Sequence, residues 1–169
     1  SRNQFVHFVI RMFRRLFAFL AFAAVLLPAF AAGAPELIFT TAAGEPLSLA
    51  TLRGKVVYLD YWASWCAPCR QSFPWMEQMQ ARYGERGFVV LAVNVDRERA
   101  EAQRFLAASP VQFRIAYDPN GDTARLMKVK GMPSSFLIGR DGAIVSSHIG
   151  FRDTDRAPRE AEIRTLLDR

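Results

Sequence analysis

The chain contains only two cysteines, Cys66 and Cys69, in the segment Trp-Cys-Ala-Pro-Cys. Two thiols at this spacing can bind a metal, form a structural disulfide or take part in thiol-disulfide exchange. A structural zinc site needs four nitrogen or sulfur ligands, and after the N-terminal segment only His148 could be added. A disulfide that closes so short a loop removes little entropy from the unfolded chain. The spacing therefore favours a redox-active pair.

A buried strand and a helix are predicted on either side of this pair. Residues 56–61 are apolar or aromatic apart from one aspartate, which indicates a central strand buried on both faces. Pro68 suits the first turn of a helix that continues to Tyr83. Cys66 then lies at the helix N-terminus, where unpaired N–H groups and the helix dipole favour the thiolate. We therefore predict that Cys66 is the nucleophile and that Cys69, one turn inside the helix, is the resolving thiol.

The rest of the chain alternates between predicted strands and helices. A short hairpin is expected from residues 37–40 and 47–49, and a second buried strand from 88–95. Further along, the predicted elements are a helix capped by Asp96, a short helix at 123–127, a hairpin of strands 135–138 and 143–148, and a last helix at 158–167. This order predicts an α/β fold with a mixed central sheet and helices on both faces.

Three separate motifs resemble the thioredoxin superfamily, and within it the exported TlpA/ResA-like thiol-disulfide oxidoreductases. They are the segments 52–57 (Leu-Arg-Gly-Lys-Val-Val), 62–70 (Trp-Ala-Ser-Trp-Cys-Ala-Pro-Cys-Arg) and 131–138 (Gly-Met-Pro-Ser-Ser-Phe-Leu-Ile). The resemblance extends over about residues 37–167. It implies a thioredoxin-like mixed central sheet, to which the N-terminal hairpin is an extension. It also implies a site that uses its two sulfurs alone, with no cofactor and no metal.

The resemblance implies further residues of the site. Pro133 is expected to be a cis-proline opposite the cysteine pair, and the backbone of Met132 to pair with an extended substrate segment; a plain turn before a strand is the alternative for this motif. Trp65 is expected to be an exposed docking ring. Ala67 and Pro68 complete the predicted substrate-binding residues, and Pro68 also removes one N–H near Cys66.

Asp60 stands in the apolar strand six residues before Cys66. A buried carboxylate has a raised pKa, which would suit it to accept the proton of Cys69. The alternative is an acid at the strand end that points into solvent. Thioredoxins carry an acid at the position of Asp60, and it is paired with a lysine on the next strand. Here that region holds Ala92 and Val93, so the lysine is missing.

The first 31 residues have the composition of an export signal. They contain four arginines and no acidic residue, and residues 16–32 form an apolar run broken by Pro28. This order predicts a secretory signal peptide with cleavage after Ala31, or an uncleaved membrane anchor. Met12, just before the basic pair 14–15, is a candidate translation start. We expect upstream residues and signal in 1–31 and one thioredoxin-like domain in 32–169.

The charge balance of that domain argues against a nucleic-acid partner. The whole chain has a formal net charge of +6, but without the four N-terminal arginines it carries 18 basic and 16 acidic residues, a net of about +2. Contact with a membrane is expected only through the signal or anchor segment.

The sequence thus predicts an exported enzyme that exchanges its Cys66–Cys69 disulfide with protein thiols, in the periplasm or at the outer face of the cytoplasmic membrane. The resemblance favours a reductant, as in cytochrome c maturation or the reduction of metal-site cysteines, with electrons from a membrane thiol transporter. A net disulfide oxidase or isomerase on the same fold remains open. So does a metallochaperone that holds Cu(I) between the two thiolates.

Overall fold

A computed structural model describes residues 34–169, so the predicted signal or anchor in residues 1–31 lies outside the described residues. The strands are β1 (Ile38–Thr41), β2 (Pro46–Ser48), β3 (Val56–Trp62), β4 (Phe88–Asn94), β5 (Arg114–Tyr117), β6 (Ser134–Ile138) and β7 (Ile144–Ile149). The α-helices are α1 (Ala67–Tyr83), α2 (Arg99–Ala108), α3 (Asp122–Leu126) and α4 (Arg156–Leu167). Short 3-10 turns occur at Leu49–Leu52, Gly84–Arg86 and Asp153–Asp155.

The seven strands form one mixed sheet in the order β2-β1-β5-β4-β3-β6-β7. β3 is an interior strand that pairs in parallel with β4, the middle strand, and antiparallel with β6. Every residue of β3 is buried, as its apolar composition predicts. The predicted N-terminal hairpin is confirmed as β1 and β2, and β1 also pairs with β5. The sequence does not reveal β5, because this strand has only four residues and begins with an exposed arginine.

Helices cover both faces of the sheet, as predicted. On one face, α1, α2 and α4 pack over alternate residues of the central strands, and an aromatic group forms where Trp62 and Phe73 meet with ring centroids 4.8 Å apart. On the other face, the turn Leu49–Leu52 and the region of α3 cover Leu59, among other residues. Because side chains alternate along a strand, residues 58, 60 and 62 of β3 all point toward the α1 face.

The prediction that Asp96 caps α2 is wrong. The helix begins at Arg99, and Glu98 stands at its N-cap position without making a side-chain cap. Asp96 is buried and turns back toward the loop after β3, where it accepts hydrogen bonds from Ser64 N and Asn94 Nδ2. The buried carboxylate of Asp96 is removed from water and needs hydrogen-bond donors from the protein, whereas the partly exposed N-terminus of α2 can bond to water.

Within residues 34–169, none of the helices combines the length and the apolar character that crossing a membrane requires.

Candidate active site

The two cysteines form a disulfide at the N-terminus of α1. Their Cα atoms are 5.3 Å apart and their sulfurs 2.03 Å. Cys66 is the N-cap residue, and its Sγ accepts a hydrogen bond from the backbone N–H of Cys69 at 3.2 Å. Pro68 lies in the first turn, where its missing N–H costs no helical hydrogen bond. The structure therefore places Cys66 where the helix N-terminus would stabilise a thiolate, as the sequence predicts.

Exposed side chains surround the buried disulfide. Cys69 is completely buried and Cys66 only 4% exposed, whereas Trp65 is 67% exposed. Ala67 and Pro68 are also exposed. Cys69 is thus shielded, as predicted. The three exposed residues form an apolar rim beside Cys66, and their contact with substrate stays a prediction.

Asp96 and Asn94 fix the loop that leads into Cys66, and sequence reasoning missed this role for both. The Asp96 carboxylate accepts hydrogen bonds from Ser64 N at 3.0 Å and from Asn94 Nδ2 at 2.8 Å. Asn94 Oδ1 in turn accepts from Asp96 N. The sequence does contain a signal for this role, because the polar residues Asn94 and Asp96 stand at and just after the end of the apolar strand β4. Since β3 and β4 pair in parallel, the two strands end side by side, next to the loop that leads to Cys66.

The replacement Asp96→Ala is expected to lower the free energy of unfolding by roughly 2 kcal/mol, because it leaves one buried and one partly buried donor without a charged acceptor. Urea denaturation of the oxidised protein would measure this loss. Asp122→Asn, a change at an exposed residue, is the control and should alter stability little. Equal stability of Asp96→Ala and the unchanged protein would contradict the role given to Asp96.

The peptide bond between Met132 and Pro133 is cis, which confirms that part of the prediction. This segment precedes β6 and is held by two hydrogen bonds. Gly150 N donates to Pro133 O at 2.7 Å, and Ser134 Oγ donates to Gly131 O at 2.7 Å. Met132 is half-buried and packs against both hydrophobic cores. Its pairing with a substrate backbone stays a prediction.

Asp60 is 1% exposed and lies on the face of β3 that α1 covers, so the alternative of an acid pointing into solvent is wrong. Burial raises its pKa from 3.8 to about 8, although the nearby Arg159 acts in the opposite direction. Among the described residues, its Oδ2 atom has no hydrogen-bond partner. A carboxyl group of this kind can exchange a proton near neutral pH. Its action on Cys69 stays a prediction.

Arg159 is the second charged residue in this buried region, and sequence reasoning missed it. It is 5% exposed and comes from α4. Its guanidinium donates to Tyr58 Oη at 3.0 Å, to Ser135 Oγ at 3.2 Å and to Gly150 O at 2.8 Å. The sequence signal for its burial was its helical position, because Arg159 stands four residues before the buried Ile163 and thus on the face of α4 that packs against the sheet. Ala92 lies opposite Asp60 on β4, so the missing lysine is confirmed.

The fold and the site together define a class of protein. A mixed sheet with a Cys-Ala-Pro-Cys disulfide at a helix N-terminus, and a cis-proline before the neighbouring strand, is the arrangement of a thiol-disulfide oxidoreductase of the thioredoxin type. The Redoxin family model matches residues 25–167. The chain belongs to this family.

Individual relatives agree with that class. The thiol-disulfide oxidoreductase ResA of Bacillus anthracis is 32% identical over 117 residues, which cover 69% of this chain and 68% of ResA. A crystal structure from Chlorobium tepidum, assigned to the thiol:disulfide interchange protein DsbE, is 50% identical with a TM-score of 0.78, covering 80% of this chain and 95% of that one. A second one from Chlorobium tepidum TLS, a thiol:disulfide interchange protein of the thioredoxin family, is 25% identical with a TM-score of 0.70, covering 80% and 95%.

Proposed function

We propose that the protein is an exported reductant of protein disulfides, active in the periplasm or at the outer face of the cytoplasmic membrane. The observation that carries this proposal is the position of the Cys66–Cys69 disulfide. The disulfide adjoins an apolar rim at the surface, and helix α1, which carries both cysteines, covers the face of β3 on which Asp60 is buried. Export is supported by the basic, apolar and small-residue order of residues 14–34.

The proposed reaction transfers two electrons to the partner, and of the two protons that the partner takes up, one comes from Cys69 through Asp60 and the other from solvent. In the reduced protein, the Cys66 thiolate attacks a disulfide of the partner, forms a mixed disulfide and releases one partner thiolate, which takes up a proton. Cys69 then loses its proton to Asp60 and attacks Cys66 Sγ. The bond between Cys66 and the partner breaks, the second partner sulfur leaves as a thiolate and is protonated, and the Cys66–Cys69 disulfide remains.

The reducing direction is supported by the residues between the cysteines. Ala67-Pro68 is closer to the Gly-Pro pair of thioredoxin than to the Pro-His pair of strong oxidants. A membrane thiol transporter would return electrons to the site, and the substrates would be oxidised cysteines of cytochrome c maturation or of metal sites. Equilibration with glutathione should give a reduction potential more negative than about −200 mV. A reduction potential of about −120 mV would instead indicate a net oxidase.

The substrate can be identified by trapping. The variant Cys69→Ala lacks the resolving thiol, so a partner attacked by Cys66 should remain attached through a disulfide. Expressed with residues 1–33 in a bacterium with a periplasm, it should yield reducible adducts with exported proteins. The double variant Cys66→Ala/Cys69→Ala is the matched control. Adducts that persist in the control, or their absence with Cys69→Ala, would refute the proposal.

The copper alternative can be separated from this function. Among residues 34–169, no group of three or more His, Cys, Asp or Glu side chains is arranged to hold a metal ion, so Cu(I) would depend on the two thiolates. A copper carrier should retain the metal through purification and reduce insulin disulfides weakly. The proposed reductant should do the reverse.

A further inference from the structure

Asp60 and Arg159 are two buried ionisable residues in the same part of the core, and each leaves an atom without a partner. Within residues 34–169, neither Asp60 Oδ2 nor Arg159 Nε has a hydrogen-bond partner. The residues that hold the guanidinium are neighbours of Asp60. Tyr58 precedes it by two positions on the same face of β3, and Ser135 lies opposite it on β6. The guanidinium therefore lies beside Asp60 without being bonded to it.

We infer that Arg159 is a positioning residue for the exchange reaction, because its fixed positive charge favours the carboxylate form of Asp60, which is the form that takes the proton of Cys69. This inference rests on the proposed function. The positive charge comes from the last helix of the chain and not from the strand next to β3, where Ala92 stands.

Few other ionisable groups near Asp60 can influence whether its carboxyl group is protonated. On the same face of its strand, Tyr58 is the nearest ionisable residue, and burial raises the Tyr58 pKa to about 12. The adjacent Tyr61 belongs to the core on the opposite face. The neighbouring strands present Ala92 and Ser135, which do not ionise. Helix α1 contributes the two cysteines, and α4 contributes Arg159. One strand further out, His148 of β7 lies opposite Ser135 and contacts Glu162 of α4. An arginine stays protonated throughout the range in which thiols and Asp60 titrate, so it supplies a constant field.

Arg159 also connects Asp60 to the cis-proline segment. Its guanidinium donates to Gly150 O at 2.8 Å, and Gly150 N donates to Pro133 O at 2.7 Å. On the outer side, Asp155 Oδ2 accepts from the same guanidinium at 3.3 Å. With these contacts the side chain has little freedom to move away from Asp60. One side chain therefore lies beside Asp60 and is linked, through Gly150, to the cis-proline segment.

The test is a titration of the Asp60 carboxyl carbon by NMR in the oxidised protein, which needs no turnover. Arg159→Met removes the positive charge, and the midpoint of Asp60 should rise by about 1 pH unit. Arg159→Lys should recover part of the shift. Arg164→Met changes an exposed arginine of the same helix and should leave the midpoint unchanged. If Arg159→Met does not fold, Arg159→Gln serves as the neutral variant.

A kinetic measurement then shows whether Arg159 acts through Asp60. The rate at which Cys69 releases a small aromatic thiol from Cys66 is followed against pH. Arg159→Met should shift this profile to higher pH, and the shift should vanish when Asp60→Asn is also present. An unchanged Asp60 midpoint in a folded neutral variant, or a shift of equal size with Asp60→Asn, would overturn the inference. Failure of the unmodified protein to exchange disulfides would refute the proposed function. In that case the NMR titration would still show whether Arg159 changes the titration midpoint of Asp60.

Discussion

Replacement of Cys66 by alanine is expected to reduce disulfide exchange to the uncatalysed rate. Cys66 is the N-cap residue of α1 and adjoins the apolar rim, whereas Cys69 is completely buried. Because a thiolate must reach the partner's sulfur, no other side chain can replace Cys66 as the attacking group. The variant Cys69→Ala should behave differently, since it attacks once at a near-normal rate and then stays attached to its partner.

Single-turnover kinetics with a disulfide-linked peptide would distinguish these two outcomes. The unmodified protein should show formation and decay of the mixed disulfide, Cys69→Ala formation alone, and Cys66→Ala neither step. Mass spectrometry identifies the adduct on Cys66. If Cys66→Ala still formed an adduct at an appreciable rate, Cys69 would be the attacking thiol and the assigned roles would have to be exchanged.

The second large effect is expected on stability, from Asp60→Asn. The folded-state pKa of Asp60 is raised to about 8 from an ordinary value of 3.8. Between pH 3.8 and about pH 8, Asp60 therefore carries a proton in the folded protein but is ionised in the unfolded chain. Stability from this group is therefore full below about pH 4 and is lost as the pH rises toward 8. At pH 7 the loss is on the order of 4 kcal/mol, and an amide at this position avoids it.

Urea denaturation of the oxidised protein between pH 4 and pH 9 would measure this effect. Asp60→Asn should be more stable than the unmodified protein at pH 7, and the difference should shrink toward pH 4. Asp122→Asn provides the control, because this aspartate is exposed and its replacement should not alter the pH dependence. A destabilised Asp60→Asn at pH 8, or a difference that does not vary with pH, would contradict the assigned burial of a neutral carboxyl group.

The parts of the site that are encoded locally could be predicted from the sequence. The strand, the turn and the helix around Cys66 and Cys69 occupy one continuous segment, and Pro68 lies in the first turn of α1, so its placement depends on local geometry alone. The motif at Pro133 has its own short signature, so its cis bond could also be anticipated. The burial of Asp60 followed from the apolar residues on either side of it.

The parts that depend on distant contacts could not be predicted in the same way. Arg159 donates to Tyr58 across 101 positions of the chain, and an arginine on a helix near the C-terminus is ordinarily exposed. Asp96 accepts from Ser64 across 32 positions, which overrides its local tendency to cap a helix. In both cases the deciding factor is the need of buried polar groups for partners, and this becomes visible only when the packing is known.

The burial of both cysteines has a consequence for the rate at which small thiols can reach the disulfide. Dissolved thiols attack a disulfide at a rate that depends on access to its sulfurs, and here one residue is 4% exposed and the other completely buried. In the proposed function, a partner that fits against the rim of Trp65, Ala67 and Pro68 would gain access that small thiols lack. We therefore expect the disulfide to exchange slowly with small thiols and disulfides, and its redox state to follow that of its protein partners.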